Sequence, residues 1–334
     1  KNIETWFFLK ARKLPWRENP TIYKVWVSET MLQQTQVKKV IPYFNKFIAR
    51  FPSLKDLALA KEEEVLLYWA GLGYYKRAKN LLAGAKKVYE LQAYPQNKKQ
   101  WLLISGVGEY TAGAILSLAQ NQPEAILDAN VRRVLSRVRG HSHNKRLWKT
   151  SALLVKKAYK IGIPSRNFNE ALIELGALVC TPKNPFCDSC PFSSLCKAFL
   201  KYHPHDFPKQ TKKPVIKKIT EKAYILLNNQ RVFLKQKKAD KWHNGLWDFP
   251  LSLEISLSAL GFQKITAFDL KYSVTHHRIL RIYEVWQKEG SLNQKLEGEW
   301  VFLNPKKLHL PLTSNALKAL NKVHAIFKDK GSKF

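Results

Sequence analysis

Four cysteines, Cys180, Cys187, Cys190 and Cys196, fall within 17 residues of a 334-residue chain that contains no other cysteine. Bunched this tightly, they cannot staple distant parts of a secreted fold, but four thiols at Cys-x6-Cys-x2-Cys-x5-Cys spacing can surround one metal centre in a reducing compartment. Zinc ribbons usually bring two Cys-x2-Cys knuckles together. Only one such pair occurs here, so an iron–sulfur cluster is favoured over zinc. The alternative is four unliganded buried thiols. A metal held here would fasten a C-terminal loop and present Lys183, Lys197 and their neighbours to phosphates.

Around that loop the chain changes character once. Residues 1–200 hold helix-length segments such as VWVSETMLQQTQVKKVIPYF, KRAKNLLAGAKKVYEL, NVRRVLSRVRG and NEALIELGALVC, with almost no strand signal. Next comes KYHPHDFPKQTKKPVIKK, residues 201–218, with three prolines and six lysines and no apolar period, which predicts an extended linker. Beyond it AYILLNNQRVFLKQ, ILRIYEVWQ and EWVFL predict strands and SNALKALNKVHAIF a closing helix. The expected organisation is an all-α domain over 1–200, a linker over 201–218 and an α+β domain over 219–334.

Both domains are basic. Lys and Arg number 57 against 25 Asp and Glu, a formal net charge of +32, far beyond what solubility requires. Because the charge is spread along the chain, a nucleic-acid partner fits better than a membrane, and no stretch approaches the roughly 18 apolar residues of a span. No secretion signal is legible, so a cytoplasmic location is expected.

Three segments carry candidate chemistry. In LLISGVGEYTAGAIL, Gly106 and Gly108 flank Val107 in a turn between helical segments, where a backbone without Cβ atoms and a following helix start suit a phosphate. In DANVRRVLSRVRG, Val131, Leu135 and Val138 mark one helix face, the arginines lie mostly off it, and Asp128 sits at the start, where a helix cap is its ordinary role. In VWVSETMLQQTQV, helical spacing puts Glu29, Gln33 and Gln36 on one polar stripe, and Gln side chains can reach base edges.

With LPWR (14–17), WVSETMLQQTQV (26–37), GLGYYKRAKNL (71–81), GVGEYTAGAI (106–115), DANVRRVLSR (128–137), FNEALIELGALVC (168–180) and the cysteine loop, the chain resembles the MutY-type adenine DNA glycosylases of the helix-hairpin-helix iron–sulfur superfamily. GLWDFP (245–250) extends the likeness into the second domain. The resemblance implies an all-α helix-hairpin-helix glycosylase domain with a [4Fe-4S] loop, and a Nudix-like C-terminal domain. It implies hydrolysis of the N-glycosidic bond of adenine opposite 8-oxoguanine or guanine in double-stranded DNA, by a monomeric, bacterial, nucleoid-associated enzyme. Glu29 then matches the acid that protonates adenine N7 and activates water, and Asp128 the acid that stabilises the sugar cation. Trp26, Met31 and Leu32 would keep Glu29 in apolar surroundings. Tyr110 and Asn130 match supporting positions, Arg17 a group that positions the flipped base, and Gln34 or Tyr74 a side chain filling the vacated stack.

Where related lyases carry a lysine nucleophile, this chain has Tyr110, and a Schiff base needs an amine. A monofunctional glycosylase is expected, with an endonuclease III-like lyase or a silent damage-binding protein as alternatives. After GLWDFP, the stretch LSLEISLSALGF has one acid, Glu254, too few for the Mg²⁺ ions of a phosphohydrolase. Lesion reading by the second domain remains. The family's Phe-Ser-His loop is matched by Val274-Thr275-His276, with His277 adjacent, which makes Thr275 and His276 the expected readers of the oxidised guanine.

Overall fold

The computed structural model describes residues 2–209, 215–238, 242–253, 256–291, 296–304 and 308–329. The chain divides into two compact units, Lys1–Leu59 with Asn80–Lys212, and Ala60–Lys79 with Lys213–Phe334. Glu254 lies outside the described residues.

The first unit is helical. It contains α1 (Asn2–Lys10), α2 (Pro15–Glu18), α3 (Ile22–Leu32), α4 (Val37–Arg50) and α5 (Leu54–Ala58). After α6 (Glu62–Trp69) and the first turn of α7 (Lys76–Glu90), which belong to the second unit, it resumes. The remaining helices are α8 (Lys98–Trp101), α9 (Glu109–Ala114), α10 (Ala129–Arg139), α11 (Asn144–Lys160), α12 (Ser165–Leu178) and α13 (Lys197–Leu200). Local chemistry sets several boundaries. The Thr21 hydroxyl accepts from the Lys24 N–H to start α3, Ser53 and Asp56 form a reciprocal box at α5, and Gly140 ends α10 at φ 67°. Trp26, Phe47, Phe51, Trp69 and Trp101 are essentially without exposure, with Trp26 and Trp101 edge to face at 5.2 Å in the first unit.

One expectation fails here. Residues 25–44 are not a single helix: α3 stops at Leu32, Gln34 takes φ 57°, and Gln36 is the extended residue before α4. Glu29, Gln33 and Gln36 therefore share no helix face. Four consecutive polar residues, Gln33 to Gln36, offer no apolar group to the core, so a continued helix would gain no burial there. The linker also departs from the extended form expected. Pro204–Asp206 make one tight turn, and the carbonyls of Pro204 and Phe207 accept from Arg137 Nε, so residues 204–207 are packed.

The second unit carries a six-stranded sheet. Its strands are β1 (Lys217–Asn228), β2 (Arg231–Gln236), β3 (Trp247–Asp248), β4 (Gln263–Val274), β5 (His277–Lys288) and β6 (Glu299–Phe302), in the order β3-β2-β1-β5-β4 with β6 also on β2. β1 runs parallel to β5 from Lys217↔His277 to Asn228↔Lys288, and the other strand pairs of the sheet are antiparallel. The β1–β2 hairpin turns at Asn229 and Gln230, both at positive φ, as a two-residue connection that follows strand twist demands. Alternation along β1 sends Ala223, Ile225 and Leu227 to one face, under Ala319, Leu320 and Val323 of α14 (Ser314–Asp329), and Leu226 to the other, with Phe233, Leu257 and Phe262.

Candidate active site

A cavity of about 870 Å³ opens in the first unit between α2, α3, the start of α10 and α12. Glu29, near the end of α3, reaches it while only 6% exposed, and the Tyr110 hydroxyl of α9 donates to Glu29 Oε2 at 2.7 Å. Leu14, Trp16, Leu32, Leu118 and Leu127 supply apolar lining. Burial pushes the Glu29 carboxyl up to about 7, against the Tyr110 hydrogen bond that lowers it and with the nearby Asp128 charge raising it further. Of the three apolar providers expected from sequence, Leu32 lines the cavity, whereas Trp26 and Met31 are core residues absent from its lining.

Asp128 faces the same cavity. Its Oδ1 accepts from the Val131 N–H at 2.7 Å, so it caps α10, and its Oδ2 accepts from Asn130 Nδ2 at 3.1 Å. The cap and the cavity-facing position coexist in one carboxylate. Burial raises its pKa and the Val131 and Asn130 hydrogen bonds hold it down. α12 comes close enough to fix this corner because it presents glycine: a Cβ at Gly176 would fall 2.6 Å from that of Asn130.

Arg133 continues the chain of contacts. It donates to Asn130 Oδ1 at 2.9 Å, to the Gly176 carbonyl and, through Nε, to the Cys180 carbonyl at 2.6 Å. A run of hydrogen bonds therefore joins the first cysteine to Asp128. Sequence placed Arg133 and Arg137 mostly off the buried face, yet both are buried and spent on carbonyls. Their i, i+4 spacing on a helix flanked by a cysteine loop was the available signal.

Arg17 is in the cavity wall, with its guanidinium already engaged. It lies 3.1 Å from Glu170 and 3.2 Å from Glu174, and a third nitrogen donates to the Arg12 carbonyl. Arg12 grips Glu174 from the other side at 2.6 Å. Two buried acids are thus balanced by two arginines, as burial of charge requires. Burial raises Glu170; for Glu174, burial is outweighed by Arg12 and Arg17 and the carboxyl is held below its usual range. Glu170, Glu174 and Arg12 were missed from sequence, although two acids one turn apart on the apolar segment FNEALIELGALV are conspicuous.

Gln33 and Gln34 line the cavity mouth, with Gln33 Nε2 3.4 Å from the Thr111 hydroxyl and Gln34 exposed at φ 57°. Gly106 takes φ 77° in the turn before α9, where a Cβ would also meet Asn80, whereas the space before Gly108 is open. Tyr74, Thr275 and His276 belong to the second unit and do not line the cavity. Thr275 and His276 form the two-residue tip between β4 and β5, closed by Val274↔His277.

Cys180, Cys187, Cys190 and Cys196 line one separate apolar recess with Val134, Leu175, Val179 and Phe192. Arg137 donates to Cys180 Sγ at 3.3 Å and to the carbonyls of Thr181 and Pro182. Among the described residues no three His, Cys, Asp or Glu side chains converge as a single ion would require. The four sulfurs nonetheless share one recess, with the Arg137 guanidinium beside that of Cys180.

Helices folded around a glycine turn, with buried Glu29 and half-buried Asp128 facing one cavity, suit a base-excision glycosylase, and residues 27–158 match the HhH-GPD superfamily base excision DNA repair protein. The chain is 34% identical to an adenine DNA glycosylase of Buchnera aphidicola subsp. Schizaphis graminum, over 98% of this chain and 97% of that protein. It is 45% identical to the human adenine DNA glycosylase over 59% of this chain and 38% of that one. The solved thermostable thymine-DNA glycosylase superposes with a TM-score of 0.54 at 29% identity, covering 59% of this chain and 93% of that one. This chain belongs to the adenine DNA glycosylase family.

Proposed function

We propose that the protein hydrolyses the N-glycosidic bond of adenine opposite 8-oxoguanine or guanine in double-stranded DNA. The observation that carries this reading is the pair Glu29 and Asp128 in one cavity of about 870 Å³, the first with its carboxyl raised to about 7 and the second accepting hydrogen bonds from the Val131 N–H and from Asn130. Glu29 is placed to give its proton to adenine N7 as the C1′–N9 bond breaks, then to take a proton from the attacking water. Tyr110 fixes the orientation of that carboxyl. Asp128 opposes the positive charge that develops on the sugar, and Asn130 orients it. Adenine enters only after leaving the stack, with Gln34 or Tyr74 filling the gap. Cys180, Cys187, Cys190 and Cys196 would hold a [4Fe-4S] cluster, which when bound fastens the loop whose Cys180 carbonyl anchors Arg133.

The test is incubation with duplexes carrying A opposite 8-oxoguanine, G or T. Expected are alkali-labile abasic sites opposite 8-oxoguanine and guanine, with few breaks before alkali, since no lysine lines the described cavity. Equal excision opposite T, or breaks without alkali, overturns the reading. Purified protein is also expected to be brown and to contain iron and sulfide, lost with thermal stability in Cys196→Ser. A colourless, active protein with one zinc would exclude the cluster.

Lesion reading is assigned to the β4–β5 tip. The Thr275 hydroxyl donates to the Val274 carbonyl at 2.7 Å and lies 3.4 Å from His276 Nδ1, so its oxygen keeps a lone pair that can accept the N7–H that 8-oxoguanine has and guanine lacks. Replacing Thr275 and His276 together by Ala is expected to cost about 1–3 kcal/mol opposite 8-oxoguanine and less opposite guanine. Equal losses in single-turnover assays would move the reader elsewhere.

A further inference from the structure

Between α6 and α7 the chain turns through Gly71, Leu72, Gly73 and Tyr74. Three of the four have positive φ, 95° at Gly71, 84° at Gly73 and 51° at Tyr74. A tyrosine adopts that conformation only where its surroundings dictate it. Above the turn, the Arg77 guanidinium stacks between Trp69 at 5.5 Å and Tyr74 at 5.4 Å, and Arg77 and Trp69 both donate to the Gly73 carbonyl. Tyr74 is nevertheless 47% exposed.

Beneath the turn lies Tyr75, only 4% exposed. Its hydroxyl accepts from the Gly71 N–H at 3.0 Å and is 3.4 Å from both the Leu312 carbonyl and the Ser314 hydroxyl, to one of which it donates. Leu312 pairs with Trp247, whose carbonyl also accepts from the Thr313 N–H. One hydroxyl thus ties the first glycine of the turn to the junction of β3 and α14.

We propose that Tyr75 is a positioning residue through which the C-terminal sheet domain holds Tyr74 outward for insertion into DNA. This rests on the reading of Tyr74 as a stack-filling side chain. The turn and the β4–β5 tip then belong to one body, so the lesion reader and the wedge are carried together. A tyrosine that merely filled core space would be replaced by Phe with little consequence at Tyr74.

The test uses the full chain and a duplex with 2-aminopurine beside the target adenine. Tyr74→Ser is expected to suppress the fluorescence rise and the single-turnover rate. Tyr75→Phe, which keeps the ring, should lower both by about 3- to 10-fold, and the double variant should be no worse than Tyr74→Ser. Amide exchange over residues 70–75 should quicken in Tyr75→Phe while the sheet stays protected. Wild-type exchange and rates in Tyr75→Phe beside an impaired Tyr74→Ser would overturn the proposal, as would multiplied losses in the double variant. A wild-type Tyr74→Ser overturns it at its premise by removing the wedge. If Tyr75→Phe does not fold, Ser314→Ala carries the same comparison, with faster exchange at 70–75 expected and unchanged exchange decisive against it.

Discussion

Glu29→Gln is expected to bind the mispaired duplex, to excise adenine about 10²- to 10⁴-fold more slowly, and to be more stable than the unsubstituted protein above pH 7. The catalytic loss follows because Gln keeps the shape and can still accept from Tyr110, but has no proton to give. The stability gain follows from the same burial. With the folded carboxyl raised from 4.5 to about 7, the folded state holds more protons than the unfolded state between those values. Stability therefore falls as pH rises through that window and stays lowered above it, by about 3 kcal/mol. A neutral amide does not titrate, so unfolding curves of the two proteins should diverge between pH 5 and pH 8. The unsubstituted enzyme should also lose excision rate as pH rises past 7. Parallel stability profiles, or substantial excision by the variant, would remove Glu29 as the acid.

That trade is visible only in three dimensions, and it marks where sequence reading stops. Periodicity located α10, α12, β5 and α14, because each buries a regular apolar set. It missed α11, whose lysines interrupt the pattern, and β4, whose residues alternate between exposed and half-buried with Lys264, Asp269 and Lys271 among them. Of the cavity lining, Arg17, Glu29, Gln33, Gln34, Tyr110, Asp128 and Asn130 were legible, since these stand in dense local motifs. Residues whose work is done at long range were not. Arg12 meets Glu174 across more than 150 positions, the partners of Arg17 are as distant, and Arg137 is buried against carbonyls of the cysteine loop and of residues 204–207. Sequence reading passed over Arg12 and placed Arg137 mostly off the apolar face, because charge is exposed by default. Only the fold supplies the partners that make burial affordable.

The second large effect concerns Asp128, where a structural and a chemical role share one carboxylate. Asp and Asn are nearly equal as helix caps, so Asp128→Asn can keep an oxygen on the Val131 N–H and leave α10 in place. What it removes is the negative charge facing the sugar. In a buried cavity a preorganised charge of this kind is worth several kcal/mol in the transition state, so excision should fall by about 10²- to 10⁴-fold. Thermal stability should change by no more than about 1 kcal/mol. Asp128→Ala provides the contrast, losing the cap as well and therefore both activity and about 1 kcal/mol of stability. Single-turnover excision and thermal unfolding of the two variants separate the roles. If Asp128→Asn turned over normally and only Asp128→Ala were impaired, Asp128 would be a helix cap, and the charge that stabilises the sugar cation would have to come from another acid in the cavity lining, such as Glu170.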